Sequence, residues 1–116
     1  MAFYCVPILN DEYKVYIFIG TAKYGNKQIS HYLKEKAKYI GDCNRGKCVY
    51  REGFHPCIWV DGRLGGCQFY ATLAHEAVHA VQYIMCYICM DARDVSGDEF
   101  LAHSVAAVIR AVKSRG

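Results

Sequence analysis

The stretch CQFYATLAHEAVHAVQYIMCYICM, residues 67–90, decides the fold of this chain. Wound at helical pitch it is apolar on nearly every face, which predicts a helix from about Cys67 to Met90 buried at the centre of the domain. His75 and His79 stand about one turn apart and project from the same face. Two imidazoles so placed can each direct a nitrogen at one Zn²⁺. Glu76 lies beside them, too short in reach for a third ligand but well placed to hold a metal-bound water. Zinc lowers the pKa of that water toward about 7, and Glu76 would take its proton and pass it to a leaving amine. Two His and one Glu in an apolar helix are costly unless paired or ligating.

A catalytic zinc takes three protein ligands and keeps one position open. Gln82 and Met85 occupy the Gly and His positions of H-E-x-x-H-x-x-G-x-x-H, which excludes that arrangement. Downstream candidates are Asp91, Asp94, Asp98, Glu99 and His103. Glu99 is the best of these. It follows His79 by enough chain for the helix to end and return, and it opens an apolar helix, about Asp98–Lys113, whose small residues allow close packing. Ser96-Gly97-Asp98-Glu99 also fits a capping box, in which Glu99 bonds back to the Ser96 backbone.

Outward from this segment, Phe3–Leu9 and Tyr13–Ile19 predict a hairpin across Asn10-Asp11-Glu12. Ile29, Leu33, Ala37 and Ile40 predict an amphipathic helix over Asn26–Ile40, its lysines on a solvated face and Gly41 at its end. Cys43–Cys48 predicts a turn, followed by short strands at Lys47–Glu52 and His55–Val60. Pro56 cannot donate to a ladder, which places the second of these at a sheet edge. Trp59 on that strand is a core residue or a substrate platform. The expected fold is one α+β domain over residues 1–116. A small, mostly antiparallel sheet packs on the H-E-x-x-H helix, and a C-terminal helix closes the metal site.

Composition agrees. A chain of 116 residues, 53% hydrophobic with ten Tyr and two Pro, is neither disordered nor low in complexity. It should bury roughly 65% of its unfolded surface. A net charge of +3 with no basic strip argues against a nucleic-acid partner. The longest uncharged run, Ala77–Met90, is shorter than the roughly 20 residues a membrane helix needs. No leader is visible, so a soluble intracellular protein is expected. The cysteine count of seven is odd, which favours reduced, mostly buried thiols over a disulfide scaffold. Cys86-Tyr-Ile-Cys89 has C-x-x-C spacing but ends a helix instead of starting one, which argues against a redox motif. With Cys43 and Cys48 it could complete a Cys₄ structural zinc site.

His75-Glu76-x-x-His79 with a later Glu99 resembles the gluzincin, thermolysin-like metallopeptidases, most closely the minimal phage and prokaryotic type. The resemblance covers about residues 71–107. It implies one Zn²⁺ on His75, His79 and Glu99, with Glu76 as general base. It also implies an extended peptide bound along the edge strand, here Cys57, Ile58, Trp59 and Val60. The substrate would be a peptide or protein processed in the cytoplasm, such as a phage structural protein or a repressor in an infected cell. Two positions depart from the family pattern. His103 stands where an Asp often supports a ligand His, and it could take over that bond, line the site or pack. The residues after Glu99 are few, so an oxyanion donor must be local: His103, His55 or a Tyr. The rival reading is a zinc-stabilised binding module that hydrolyses nothing; bound zinc could contribute on the order of 10 kcal/mol to folding. A thiol protein built on the cysteines is a third.

Overall fold

Alternating apolar residues in the first twenty positions build a hairpin. In the computed structural model, which describes residues 1–91 and 93–115, β1 is Ala2–Ile8 and β2 is Tyr13–Gly20, paired antiparallel from Ala2↔Ile19 to Ile8↔Tyr13. The turn carries Leu9, Asn10 and Asp11 at positive φ and closes with a Glu12 N–H to Leu9 C=O bond of 3.0 Å. Helix α1 (Ala22–Leu33) follows, then β3 (Gly46–Val49), β4 (Cys57–Asp61), α2 (Gly66–Tyr87) and α3 (Val95–Arg115). The chain is thus an α+β domain with a mixed sheet, in the order β1-β2-β4-β3.

β4 runs parallel to β2 and antiparallel to β3, so it lies inside the sheet, and β3 and β1 are the two edges. This corrects the expectation that Cys57, Ile58, Trp59 and Val60 form an exposed edge. Pro56 precedes the strand, where its missing N–H costs nothing, and its carbonyl accepts from Tyr16 N–H at 3.1 Å. All five β4 residues are buried. Ile58 and Val60 join the core under α2 and α3, with Val6, Val15, Ile17, Leu73, Ala80 and Val108. Cys57 and Trp59 face the other core, under α1, with Phe18, Ile29, Leu33 and Ile40.

Trp59 anchors that second core. It is 1% exposed, and its indole N–H is shared between the Gly20 and Thr21 carbonyls at 3.2 and 3.1 Å. It is therefore core, not a substrate platform. Helix α1 presses onto it through Gly25, where an added Cβ would meet Trp59 Cδ1 at 2.4 Å and Ile40 Cδ1 at 2.6 Å. The helix begins at Thr21, whose hydroxyl caps Tyr24 N–H at 3.1 Å. It stops seven residues short of the expected Ile40, because Lys34 turns left-handed (φ 56°). Ile40 still reaches the core. The Asn26 side chain accepts from Tyr39 and Ile40 N–H (2.8 and 2.9 Å) and clamps the irregular segment that follows the helix.

Helix α2 covers the opposite face of the sheet with Leu73, Ala77, Ala80 and Ile84, and its Val81 and Met85 are buried as well. Its other side is open, with His75, His79, Gln82 and Cys86 exposed, so the helix is one-sided and not buried all round. No helix among the described residues is long and apolar enough to cross a membrane. The seven thiols are free, and four (Cys43, Cys67, Cys86, Cys89) are exposed, against the expectation that most are buried.

His55 sits at the mouth of the β2–β4 seam and offers a pH signature. Lys14 N–H donates to its Nδ1 at 3.2 Å, so that nitrogen carries no proton. Burial first, then the Lys14 charge, holds the imidazole below its ordinary pKa. The unfolded chain therefore binds the proton more readily. The contribution is full above the unfolded value and is lost as pH falls through the folded one. Denaturation midpoints of the wild type should fall from about pH 6.5 downward more steeply than those of His55→Asn, which keeps the acceptor without the charge. Parallel pH profiles for the two proteins would refute this.

Candidate metal centre

The regular spacing of α2 puts His75 and His79 on its solvent side, one turn apart. Their Nε2 atoms are 3.3 Å from each other, with ring planes at 76°. Glu76, next in the row toward the sheet, is only 8% exposed. One donor atom from each of the three residues falls within 4.8 Å of the others. Among the described residues this is the one group of three or more His, Cys, Asp or Glu so close together. Cys43, Cys48, Cys86 and Cys89 therefore do not assemble a Cys₄ site. Of His75, Glu76 and His79, only Glu76 bears a desolvation cost, since both histidines are exposed.

Glu76 owes its position to β3. Gly46 passes so close that a Cβ there would meet Thr72 Cγ2 at 2.5 Å, Glu76 Cγ at 3.1 Å and Glu76 Oε2 at 3.2 Å. Glu76 and His79 then form one wall of a cleft of about 300 Å³, and Asn44, Gly46, Lys47, Cys48 and Tyr50 form the other. The Cys48 thiol is pushed up to about 12, by burial first and then by the Glu76 carboxylate, so it is neutral. Tyr50 stacks on Tyr83 at 4.6 Å between ring centres. The strand expected at Lys47–Glu52 lies at Gly46–Val49, but its place as a wall of this cleft escaped sequence reasoning. It has no motif, and a glycine next to a carboxylate in space leaves no mark in the order of residues.

Glu99 lies elsewhere. Gly97, Ser104, Val108 and Val112 mark the buried face of α3. Glu99 follows Gly97 by two residues, about 200° around the helix. Its carboxylate meets His103 Nε2 at 3.3 Å, with side-chain exposures of 65% and 80%. The capping reading does not hold either, because the helix already begins at Val95, ahead of Ser96. His103 is thus engaged with Glu99 and supports neither metal-site histidine. His55 belongs to the β2–β4 seam, outside the cleft. Of the oxyanion candidates, only the tyrosines include a cleft residue, Tyr50. Among the described residues neither His75 nor His79 has a carboxylate or carbonyl partner to fix its tautomer. In comparisons with known proteins, the chain matches no family model, no curated protein and no solved structure.

Proposed function

We propose that this chain is a zinc-dependent metallopeptidase in which His75 and His79 hold one Zn²⁺ and Glu76 is the general base. The observation that supports it most is the 3.3 Å between the two Nε2 atoms. Two nitrogens bonded to one tetrahedral zinc at about 2.0–2.1 Å stand about 3.3–3.4 Å apart. A buried carboxylate directly beside such a pair has little use in a purely structural site. Bound zinc would supply Lewis-acid polarisation of the scissile carbonyl and acidify its water. Glu76 would accept that proton at its carboxylate and deliver it to the leaving amine. An extended peptide would add to the free edge of β3, which takes over the role first expected of Cys57–Val60.

The third ligand remains Glu99 in this reading, and it has a structural cost. Its pairing with His103 is exposed and is worth no more than about 1 kcal/mol. Leaving it is cheap, but reaching the cluster requires the first turns of α3 to unwind or rotate. Zinc binding would have to supply the free energy for that change. The position of Glu99 is also the one observation that favours a second reading, a zinc-holding binding module without turnover. Metal analysis of the purified protein should find one zinc per chain, lost in His75→Ala and in His79→Ala. Glu99→Ala should weaken zinc binding and abolish cleavage of a mixed peptide library. Wild type that holds stoichiometric zinc yet cleaves no peptide would transfer the conclusion to the binding module. Absence of zinc altogether would remove both readings.

A further inference from the structure

The run Met85-Cys-Tyr-Ile-Cys89-Met90 at the end of α2 takes no part in the chemistry above. Helix α2 ends at Tyr87, and Cys89 adopts a left-handed conformation (φ 56°). That turn brings Cys89 N–H to Cys86 C=O at 3.4 Å and Met90 N–H to Met85 C=O at 3.0 Å, folding the last residues back over the helix end. One concave patch of about 440 Å³ results, lined by Gln82, Met85, Cys86, Cys89, Met90 and Asp91. Four of these six carry sulfur. Both thiols are exposed and free, while Met85 is buried and forms the floor. The only carboxylate, Asp91, is already held by Arg93, through its own N–H at 2.9 Å and the guanidinium at 2.8 Å. Apart from the Gln82 amide, the side-chain donors left over are soft.

We propose that this patch is a second metal site, selective for a soft monovalent cation, Cu(I), bound by the Cys86 and Cys89 sulfurs with the two methionine thioethers in support. Thiolate and thioether donors favour Cu(I), whereas zinc prefers thiolate, imidazole and carboxylate and gains nothing from a thioether. The C-terminal end of a helix also favours positive charge. Binding deprotonates both thiols, releases two protons to solvent and changes no oxidation state. The site lies about two helical turns beyond His79, on the same open side of α2, and does not depend on the peptidase assignment.

The test is anaerobic titration of the reduced full chain with Cu(I) against a colorimetric Cu(I) chelator, followed by thiolate-to-copper ultraviolet absorption. One tightly held equivalent is expected. It should vanish in Cys86→Ser/Cys89→Ser and persist in Cys43→Ser/Cys67→Ser and in His75→Ala/His79→Ala. Met85→Leu/Met90→Leu should weaken it by about 10–100-fold, the range seen when supporting groups are lost from a metal site. Thermal unfolding checks that each variant folds, and single Cys86→Ser or Cys89→Ser replaces the double variant if it does not. Copper retained without both thiols, copper lost with Cys43 and Cys67, or a site that takes zinc but not Cu(I) overturns the assignment.

Discussion

Glu76→Gln should leave the protein folded and zinc-loaded while lowering peptide hydrolysis by about 10²–10⁴-fold, the contribution of a positioned general base. Gln keeps the shape that Gly46 and Thr72 enclose, so the packing beneath β3 survives. It cannot accept a proton at neutral pH. The side chain is 8% exposed, so removing its charge also relieves a desolvation cost, and the variant should be no less stable than wild type. Three measurements decide the outcome together: zinc content, the denaturation midpoint and cleavage rate under single-turnover conditions. If the variant cleaves as fast as wild type, Glu76 is not the base and the proposed chemistry fails. If it loses zinc, Glu76 is a ligand, and the centre is a His-Glu-His site with no base of its own.

Trp59→Ala should produce the largest stability loss of any single change, about 3–5 kcal/mol. The indole is 1% exposed and touches both the α1 core and the β2–α1 junction. Its removal leaves a cavity under Gly25 and takes away the donor shared by the Gly20 and Thr21 carbonyls. A domain of this size has about 5–15 kcal/mol in total, so this one change should remove from about a fifth to all of it. Trp59→Phe separates the two effects. It keeps most of the ring packing and forfeits the hydrogen bond, for about 1–2 kcal/mol. Urea denaturation reads both. A loss under about 1 kcal/mol for the alanine variant would mean that α1 is not fastened to the sheet through this residue.

The edge assignment shows how a local rule was outweighed. Pro56 pointed to an edge strand, yet Cys57-Ile58-Trp59-Val60 is a continuous apolar run, the pattern of a strand covered on both faces. Proline just ahead of a strand removes no ladder bond, so the run was the stronger signal. The overlong helix at Asn26–Ile40 failed for a related reason. Ile40 is buried as its spacing predicts, but a side-chain clamp from Asn26 puts it in the core without helical geometry.

The amino-acid order alone determined the hairpin, the helix that bears the motif, and the meeting of His75 with His79. Each depends on a repeat of two or of about four residues, which the backbone carries by itself. Only the tertiary structure decided that β3 is the edge beside the motif, that Gly46 covers Glu76, and that Glu99 faces His103 and solvent. Strand order and the rotation of a helix about its own axis are set by which apolar surfaces find each other across the chain. No local period encodes that choice.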